Sequence, residues 1–507
     1  MEIKNNTLGK PELFWKYFLE ISKIPRCSGN EDKIREFIKQ EAINCNFDYE
    51  IDNAGNLVIN IYSMCSDNIT SKTVVLQSHL DMVCEKNTNV IHDFSRDPLP
   101  LKIIEQDGEQ WLTADGTTLG ADNGVGIAFS LTIMKKIFSG DLDISPLSLS
   151  LLFTVDEELG LVGAFNIDKN LIKGDYLINL DSEMDTKFII GCAGGINTSG
   201  KFKYQGMPIQ EHLSKNHLPF SLNITGLLGG HSGGDINKER INSLKLISEI
   251  LNKMEPFDFK LVSIEGGNLA NAIPREAKAI ILLKRDDIES FKHSFHTLVI
   301  ETESKLKAIE PSLEISIIES EIDNIVKEKI IPDEIKGKII NLLRDIPHGA
   351  LSSLPDNKDM VHTSTNLASI STKEGHIEIV TSQRSLSEKD KMVIHQKVSS
   401  IMNASGLPFK VKKYGDYPGW EPNHDSELLS IARQTYKKLF NQDVIVKIVH
   451  AGLECGIFKK RFPKIEMLSL GPSINGAHSP EERLKLKSVE KIWLLILALL
   501  EELRKIQ

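Results

Sequence analysis

The sequence predicts an α/β fold in which a domain with a largely parallel central sheet is interrupted by an inserted α+β domain. Three observations predict it. Strand-length apolar runs alternate with helix-period segments through the first 190 residues, the pattern of parallel strands covered on both faces. The texture changes near Gly191, and the alternation resumes only in the last hundred residues. A chain of 507 residues also exceeds what one hydrophobic core serves. The expected boundaries are 1–190 and 396–507 for two pieces of one domain, and 191–395 for the insertion.

Taken in order, Leu13, Phe14, Tyr17, Phe18 and Ile21 recur at helical spacing, so Pro11–Ile24 reads as an amphipathic helix ended by Pro25. A second helix is expected from Ser28-Gly29-Asn30-Glu31, with Ile34, Phe37 and Ile38 turned inward. Strands are expected at Leu57–Tyr62, Thr73–Gln77, Leu147–Thr154 and Tyr176–Leu180, with a helix over Gly124–Phe138 between the second and third. Segment 191–395 holds further strand-like and helix-like stretches. Val444–Val449 and Lys464–Leu470 read as strands. Ile492–Leu500 is apolar over nine residues and runs into Glu501-Glu502-Leu503-Arg504-Lys505. That is about half a membrane span, so a docked C-terminal helix is expected.

Composition narrows the function. Charged residues make up 26% and hydrophobic ones 41%, ordinary for a folded soluble protein. The net charge of −10 and a longest basic run of Lys459-Lys460-Arg461 argue against nucleic-acid or anionic-membrane partners. Met1–Lys10 is polar and lacks a signal-peptide core. Cys27, Cys45, Cys65, Cys84, Cys192 and Cys455 show no C-x-x-C pairing, which suits a reduced, cytoplasmic protein. Cys84, Cys192 and Cys455 lie near the motifs below, and small buried core cysteines are the default expectation there.

Five short motifs carry the chemistry. They are His79-Leu80-Asp81, Gly120-Ala121-Asp122-Asn123-Gly124, Asp156-Glu157-Glu158, Asp181-Ser182-Glu183 and Gly476-Ala477-His478-Ser479-Pro480-Glu481-Glu482. Each follows an apolar run or flanks a Gly-rich turn, where strand ends would face a shared cleft. Two histidines with several carboxylates form an oxygen and nitrogen donor set suited to zinc or manganese. In His79-x-Asp81 the side chains share a face, so the histidine can bind metal while the aspartate accepts its other ring N–H. Asp122, in a turn before a helix, has two oxygens able to bridge two cations about 3.5–4 Å apart, although helix N-capping would also place an Asp there. Adjacent Glu157 and Glu158 point in different directions, so one can bind metal and the other serve as general base. Asp181 and His478 would complete a pair of sites. Singly, each motif is matched by a plain polar loop; independent chance does not readily put an acid or His at the end of successive buried strands.

The ordered set H-x-D, G-A-D-N-G, D-E-E, L-D-S-E and G-A-H-S-P-E resembles the co-catalytic zinc peptidases related to aminoacylases and carnosinases, with details nearest the bacterial aminoacyl-histidine dipeptidases. Further matches are Ile24-Pro25-Arg26-Cys27-Ser28-Gly29-Asn30-Glu31, Gly229-Gly230-His231-Ser232-Gly233-Gly234, Asn271-Ala272-Ile273-Pro274 and His450-Ala451-Gly452-Leu453-Glu454-Cys455-Gly456. The resemblance implies that His79 and Asp181 bind one metal, Glu158 and His478 the other, and Asp122 both. Asp81 would orient His79, and Glu157 would be the general base. The cofactors implied are two divalent ions, Zn²⁺ first, with Mn²⁺ or Co²⁺ as alternatives. The insertion would be a lid over a dipeptide, in which His231 polarises the scissile carbonyl and Asn271 and Arg384 grip substrate; Glu454 is a candidate for its amine. About 200 inserted residues point to a doubled lid that lets His231 reach the metals within one chain.

The activity implied is hydrolysis of dipeptides, with Xaa-His and β-alanyl-histidine first. A tripeptidase or an N-acyl amino-acid deacylase would need the same metal motifs, and a non-catalytic metal-dependent binding protein is the remote alternative. A small peptide is the expected partner, without nucleic acid or membrane, and the chain would act as a monomer or homodimer.

Overall fold

The computed structural model describes residues 7–62, 72–321, 329–354, 357–373 and 375–506. Met1–Asn6 and Cys65, read above from sequence, lie outside the described residues. The chain forms two compact units. The first comprises Met1–Cys192, Trp420–Ile448 and Leu453–Gln507; the second comprises Ala193–Gly419 and Val449–Gly452.

An eight-stranded sheet organises the first unit, in the order Asp48–Ile51, Leu57–Ile61, Ser148–Thr154, Thr73–His79, Tyr176–Asn179, Glu466–Ser469, Lys187–Cys192 and Ile445–Val449. Its four middle strands run parallel: Thr73–His79 lies between Ser148–Thr154 and Tyr176–Asn179, which in turn pairs with Glu466–Ser469. Antiparallel strands flank them, so the parallel character holds for the centre. The central strands are apolar on both faces because helices cover them. From these strands Val74, Leu76, Leu151, Phe153 and Ile178 join Phe14, Phe18, Phe129 and the C-terminal helix residues Ile492, Leu495 and Leu499 in one core. That C-terminal helix spans Leu486–Leu503. Among the described residues, no helix is long and apolar enough to cross a membrane.

Two details of the first unit differ from the sequence reading. The second helix begins at Asp32 rather than at Ser28, because Ser28 Oγ and Gly29 N–H are drawn to Asp81 and Asp156. Cys27 and Cys84 form a disulfide with Cα atoms 5.7 Å apart, so Cys84 is not a core thiol. The fold brings them together by bridging Cys27 to Met82, a proximity that spacing alone does not disclose. Cys45, Cys192 and Cys455 are buried and form no disulfide.

The second unit extends past the expected residue 395 to Gly419, because strand Lys410–Tyr417 pairs with Gly194–Lys203 of its sheet. That antiparallel sheet runs Glu314–Glu319, His217–Thr225, Ala277–Lys284, Lys260–Gly266, Asn357–Lys373, His376–Ser385, Gly194–Lys203 and Lys410–Tyr417, with Gly349–Leu354 paired onto Asn357–Lys373. Numbered along the chain within each four-strand half, both halves have the order 4-1-3-2, joined where Gly266 pairs with Ile370. One half is inserted between the first strand of the other and its remaining three. Helices Ser243–Lys253, Ile288–Leu306, Asp333–Asp345 and Glu388–Ala404 feed apolar residues such as Ile247, Phe291, Ile339 and Val398 into a single core.

Candidate metal centre

Three of the site's acidic and histidine segments come from the C-terminal ends of the parallel strands, where an open α/β sheet presents its crevice. His79 is the last residue of Thr73–His79, and Asp156–Glu158 follow Ser148–Thr154. Asp181 lies two residues beyond Tyr176–Asn179. Asp122 opens the helix Ala121–Phe138. A separate small sheet supplies the remaining histidine: His478 sits with φ 64° in the turn between Ile474–Asn475 and Arg483–Lys485.

These side chains converge. His79 Nε2 lies 2.9 Å from Asp122 Oδ1 and 3.3 Å from Asp181 Oδ1. His478 Nε2 lies 3.1 Å from both Asp122 Oδ2 and Glu158 Oε1. Two potential metal triads result, His79 with Asp122 and Asp181, and Asp122 with Glu158 and His478; within each, one ligand atom per residue falls within 4.8 Å of the others. Asp122 belongs to both. His79 with Glu157 and Glu158 satisfies the same criterion, as do Glu31, Asp81 and Asp156.

The surroundings orient these donors. His79 Nδ1 faces the Asp81 carbonyl at 3.1 Å and Asp81 Oδ1 at 3.3 Å. With a cation on Nε2, a proton on Nδ1 would serve those acceptors. Asp81 in turn accepts the Glu157 and Glu158 backbone N–H groups at 3.0 and 3.1 Å and the Ser28 hydroxyl at 2.7 Å. One buried carboxylate thus fixes both the imidazole and the glutamate turn. Burial works against its charge, but His79 and these hydrogen bonds prevail and hold it down at about 2.

The electrostatics are those of crowded anions. Burial pushes the Glu157 carboxyl well above its ordinary value, although the His79 charge opposes this, and Asp181 and Glu158 add to it. Asp181 is raised to about 6 by burial, against the pull of His79. His478 is raised to about 11 by the Asp122 and Glu158 carboxylates, each 3.1 Å from its Nε2. Glu158 Oε1 is buried without a hydrogen-bond partner even with His478 Nε2 at 3.1 Å. An unsatisfied carboxylate oxygen among other anions fits a cation better than it fits protein alone.

Two residues matter that received no role from the sequence. Glu482, 1% exposed, accepts four backbone N–H groups: Leu119 and Gly120 on Oε2 at 2.8 and 2.9 Å, Ala121 and Asp122 on Oε1 at 2.8 and 3.2 Å. Arg26 is buried and donates to the carbonyls of Leu80 at 3.0 Å, Asp81 at 2.8 Å and Gly120. Gly120 has φ +65°, and a Cβ there would come within 2.7 Å of Arg26 Nη2 and Met82 Sδ. Their signal was membership in the longer motifs Ile24–Glu31 and Gly476–Glu482. The Asp122–Asn123 peptide that follows is cis, and the Asn123 amide donates to Asp181 Oδ1.

Glu454 is 1% exposed at the start of helix Glu454–Arg461. Its Oε2 accepts Gln77 Nε2 at 2.6 Å and Thr154 Oγ1 at 2.8 Å, and Oε1 is buried without a partner. Burial raises its carboxyl to about 8.

His231, Asn271 and Arg384 belong to the second unit. His231 is exposed on a two-stranded ribbon, Gly230–His231 paired with Ala272–Ile273, and Asn271 immediately precedes the second strand. The Gly233 and Gly234 backbone N–H groups donate to His231 Nδ1 at 3.3 and 3.0 Å, which places the neutral ring's proton on Nε2. Arg384 is 7% exposed in strand His376–Ser385, opposite Ser364, with Nε lacking a partner.

Comparisons with known proteins agree with this architecture. The chain is 36% identical over 502 residues to the cytosol non-specific dipeptidase of Escherichia coli (strain K12), covering 97% of this chain and 98% of that protein. The crystal structure of aminoacylhistidine dipeptidase from Vibrio alginolyticus superposes with a TM-score of 0.79 at 33% identity, covering 99% of this chain and 98% of the other. A tripeptidase from Staphylococcus aureus shares the fold, with a TM-score of 0.55 at 16% identity, over 98% of this chain and 99% of the other. Residues 75–502 match the peptidase family M20/M25/M40. With that match across most of its length, the chain belongs to peptidase family M20/M25/M40.

Proposed function

We propose that this protein is a metal-dependent dipeptidase whose first substrates are Xaa-His dipeptides, including β-alanyl-histidine. The observation that carries the reading is the convergence of His79, Asp181, Asp122, Glu158 and His478 into two triads sharing Asp122, with Glu157 beside them and outside both. The two relatives named as dipeptidases support the substrate length, and the aminoacylhistidine enzyme supports a C-terminal histidine.

The donor set of imidazole nitrogens and carboxylates fits two divalent cations, Zn²⁺ ahead of Mn²⁺ or Co²⁺. Bound there, such ions supply Lewis acidity and make water a nucleophile at neutral pH. His79 and Asp181 would hold one and Glu158 and His478 the other, with Asp122 between them. Glu157 would take the proton from the attacking water and pass it to the leaving amine. Asp81 keeps His79 in the tautomer that leaves Nε2 available. In the lid, His231 offers an Nε2–H donor suited to a developing oxyanion, and Arg384 offers a planar fork suited to the substrate carboxylate. Asn271 would bind the substrate carbonyl and Glu454 its amine. A lid doubled as two like-ordered halves would let one chain supply both sets of residues.

The test is hydrolysis of β-alanyl-histidine and Gly-His by chelator-stripped protein, before and after Zn²⁺ or Mn²⁺ is restored. Metal-restored cleavage is expected, and Glu157→Ala should keep metal binding while turnover falls by orders of magnitude. Cleavage of tripeptides or N-acetyl amino acids in preference to dipeptides would overturn the substrate assignment, and near-normal turnover in Glu157→Ala would overturn the base.

A further inference from the structure

We infer that Asn366 is a positioning residue that holds the lid ribbon carrying His231 and Asn271. Asn366 lies in strand Asn357–Lys373 and is 1% exposed. Its Nδ2 donates to the carbonyls of Ala270 at 3.2 Å and Ala272 at 2.7 Å, the two residues on either side of Asn271. The Asn271 carbonyl between them accepts the Ser232 N–H at 2.7 Å, and Ala272 is paired with His231. One side-chain amide therefore fastens the loop on both flanks of Asn271, and through it the strand bearing His231.

The ribbon needs such an anchor. Its two strands are two residues long each, far below what a free-standing hairpin requires. The hydrogen bonds of His231 with Asp235 and with the Gly233 and Gly234 N–H groups lie inside its own turn. They fix the ring within the loop, whereas the Asn366 amide fixes the loop on the sheet. A planar amide has two N–H donors on one nitrogen, the number needed for two carbonyls flanking one residue. Aspartate has none, and serine has one. The Oδ1 of Asn366 is buried without a partner, so this amide is held for its donors at the expense of its acceptor.

The inference rests on the proposed roles of Asn271 and His231, and two readouts separate it from them. Hydrogen exchange on the metal-free wild type and Asn366→Asp, which keeps the shape and removes both donors, is expected to show the Ser232 and Ala272 amides at least about tenfold faster in the variant. Unchanged exchange at both amides overturns the inference whatever the enzyme's substrate. A double-mutant cycle on dipeptide hydrolysis then tests the route of action. Asn366→Asp is expected to lower kcat/KM about 100-fold in the wild-type background and less than about threefold in an Asn271→Ala background, with Zn²⁺ affinity unchanged in both. An equal loss in both backgrounds means that Asn366 does not act through Asn271, and overturns the inference. Should Asn366→Asp fail to fold, Asn366→Ala is read by the same two criteria. Absence of dipeptide cleavage by the wild type would count against the proposed function and leave the exchange result to judge Asn366.

Discussion

Glu482→Gln probes how firmly the Asp122 loop of the proposed metal centre is held. The carboxylate accepts four N–H groups at 2.8 to 3.2 Å, two on each oxygen. Glutamine keeps one acceptor oxygen and turns an NH₂ toward the other two donors, so two bonds are lost in either orientation. Each bond to a charged acceptor is worth about 1.5–3 kcal/mol net, or about 3–6 kcal/mol for the pair. Part of this is offset, because burial already raises the Glu482 carboxyl and Asp122 adds repulsion, both relieved when the charge is removed. A net loss of about 3 kcal/mol falls on residues 119–122, and if the loop must be rebuilt before metal binds, Zn²⁺ affinity drops on the order of 100-fold. Competition against a chromophoric chelator measures this directly, and a thermal melt reports the stability change. Glu481→Gln is the control, since Glu481 is exposed and should change neither. Zn²⁺ affinity within about threefold of wild type together with an unchanged melt would refute the reasoning.

Arg26→Met leaves the carbonyls of Leu80, Asp81 and Gly120 without their buried donor, and should cost about 3 kcal/mol in urea unfolding of the first unit; Arg26→Lys, with one ammonium for three acceptors, should recover part of it. His348 supplies a pH signature in the second unit. Burial lowers it from 6.5 to about 4, with the Lys245 charge adding, and its Nδ1 lies 3.3 Å from Asn242 Nδ2. Because the folded state resists protonation, the contribution is complete above pH 6.5 and is lost as pH falls from there toward 4. His348→Asn should therefore shed about 2 kcal/mol less stability than wild type between about pH 7 and pH 4.5, read from urea midpoints. Equal losses in the two proteins would show that His348 is not held neutral.

Much of the candidate centre was legible before folding because its acidic and histidine residues follow strands that apolar runs announce. Val74–Leu76 and Leu149–Phe153 are buried on both faces, and His79, Glu157–Glu158 and Asp181 lie within a few residues of the ends of such runs. The second helix forms but starts at Asp32 rather than Ser28, because those first residues are claimed from elsewhere in the fold. Helical spacing cannot reveal that Ser28 and Gly29 find stronger partners in Asp81 and Asp156, 53 and 127 residues away. The boundary at 395 failed because pairing of Lys410–Tyr417 with Gly194–Lys203 joins segments far apart in the chain, and local composition is silent on register.

From the sequence alone came the kinds of donor, the parallel strands that aim them and the presence of an insertion. Those depend on local patterns: apolar runs, turn residues and short motifs. The sharing of Asp122 between two triads, the grip of Glu482 and Arg26 on its loop, the Cys27–Cys84 bridge and the seating of the Asn271 loop on Asn366 were decided only in three dimensions. Each depends on a distance between residues far apart in the chain, and such distances are set when the sheet order and registers form.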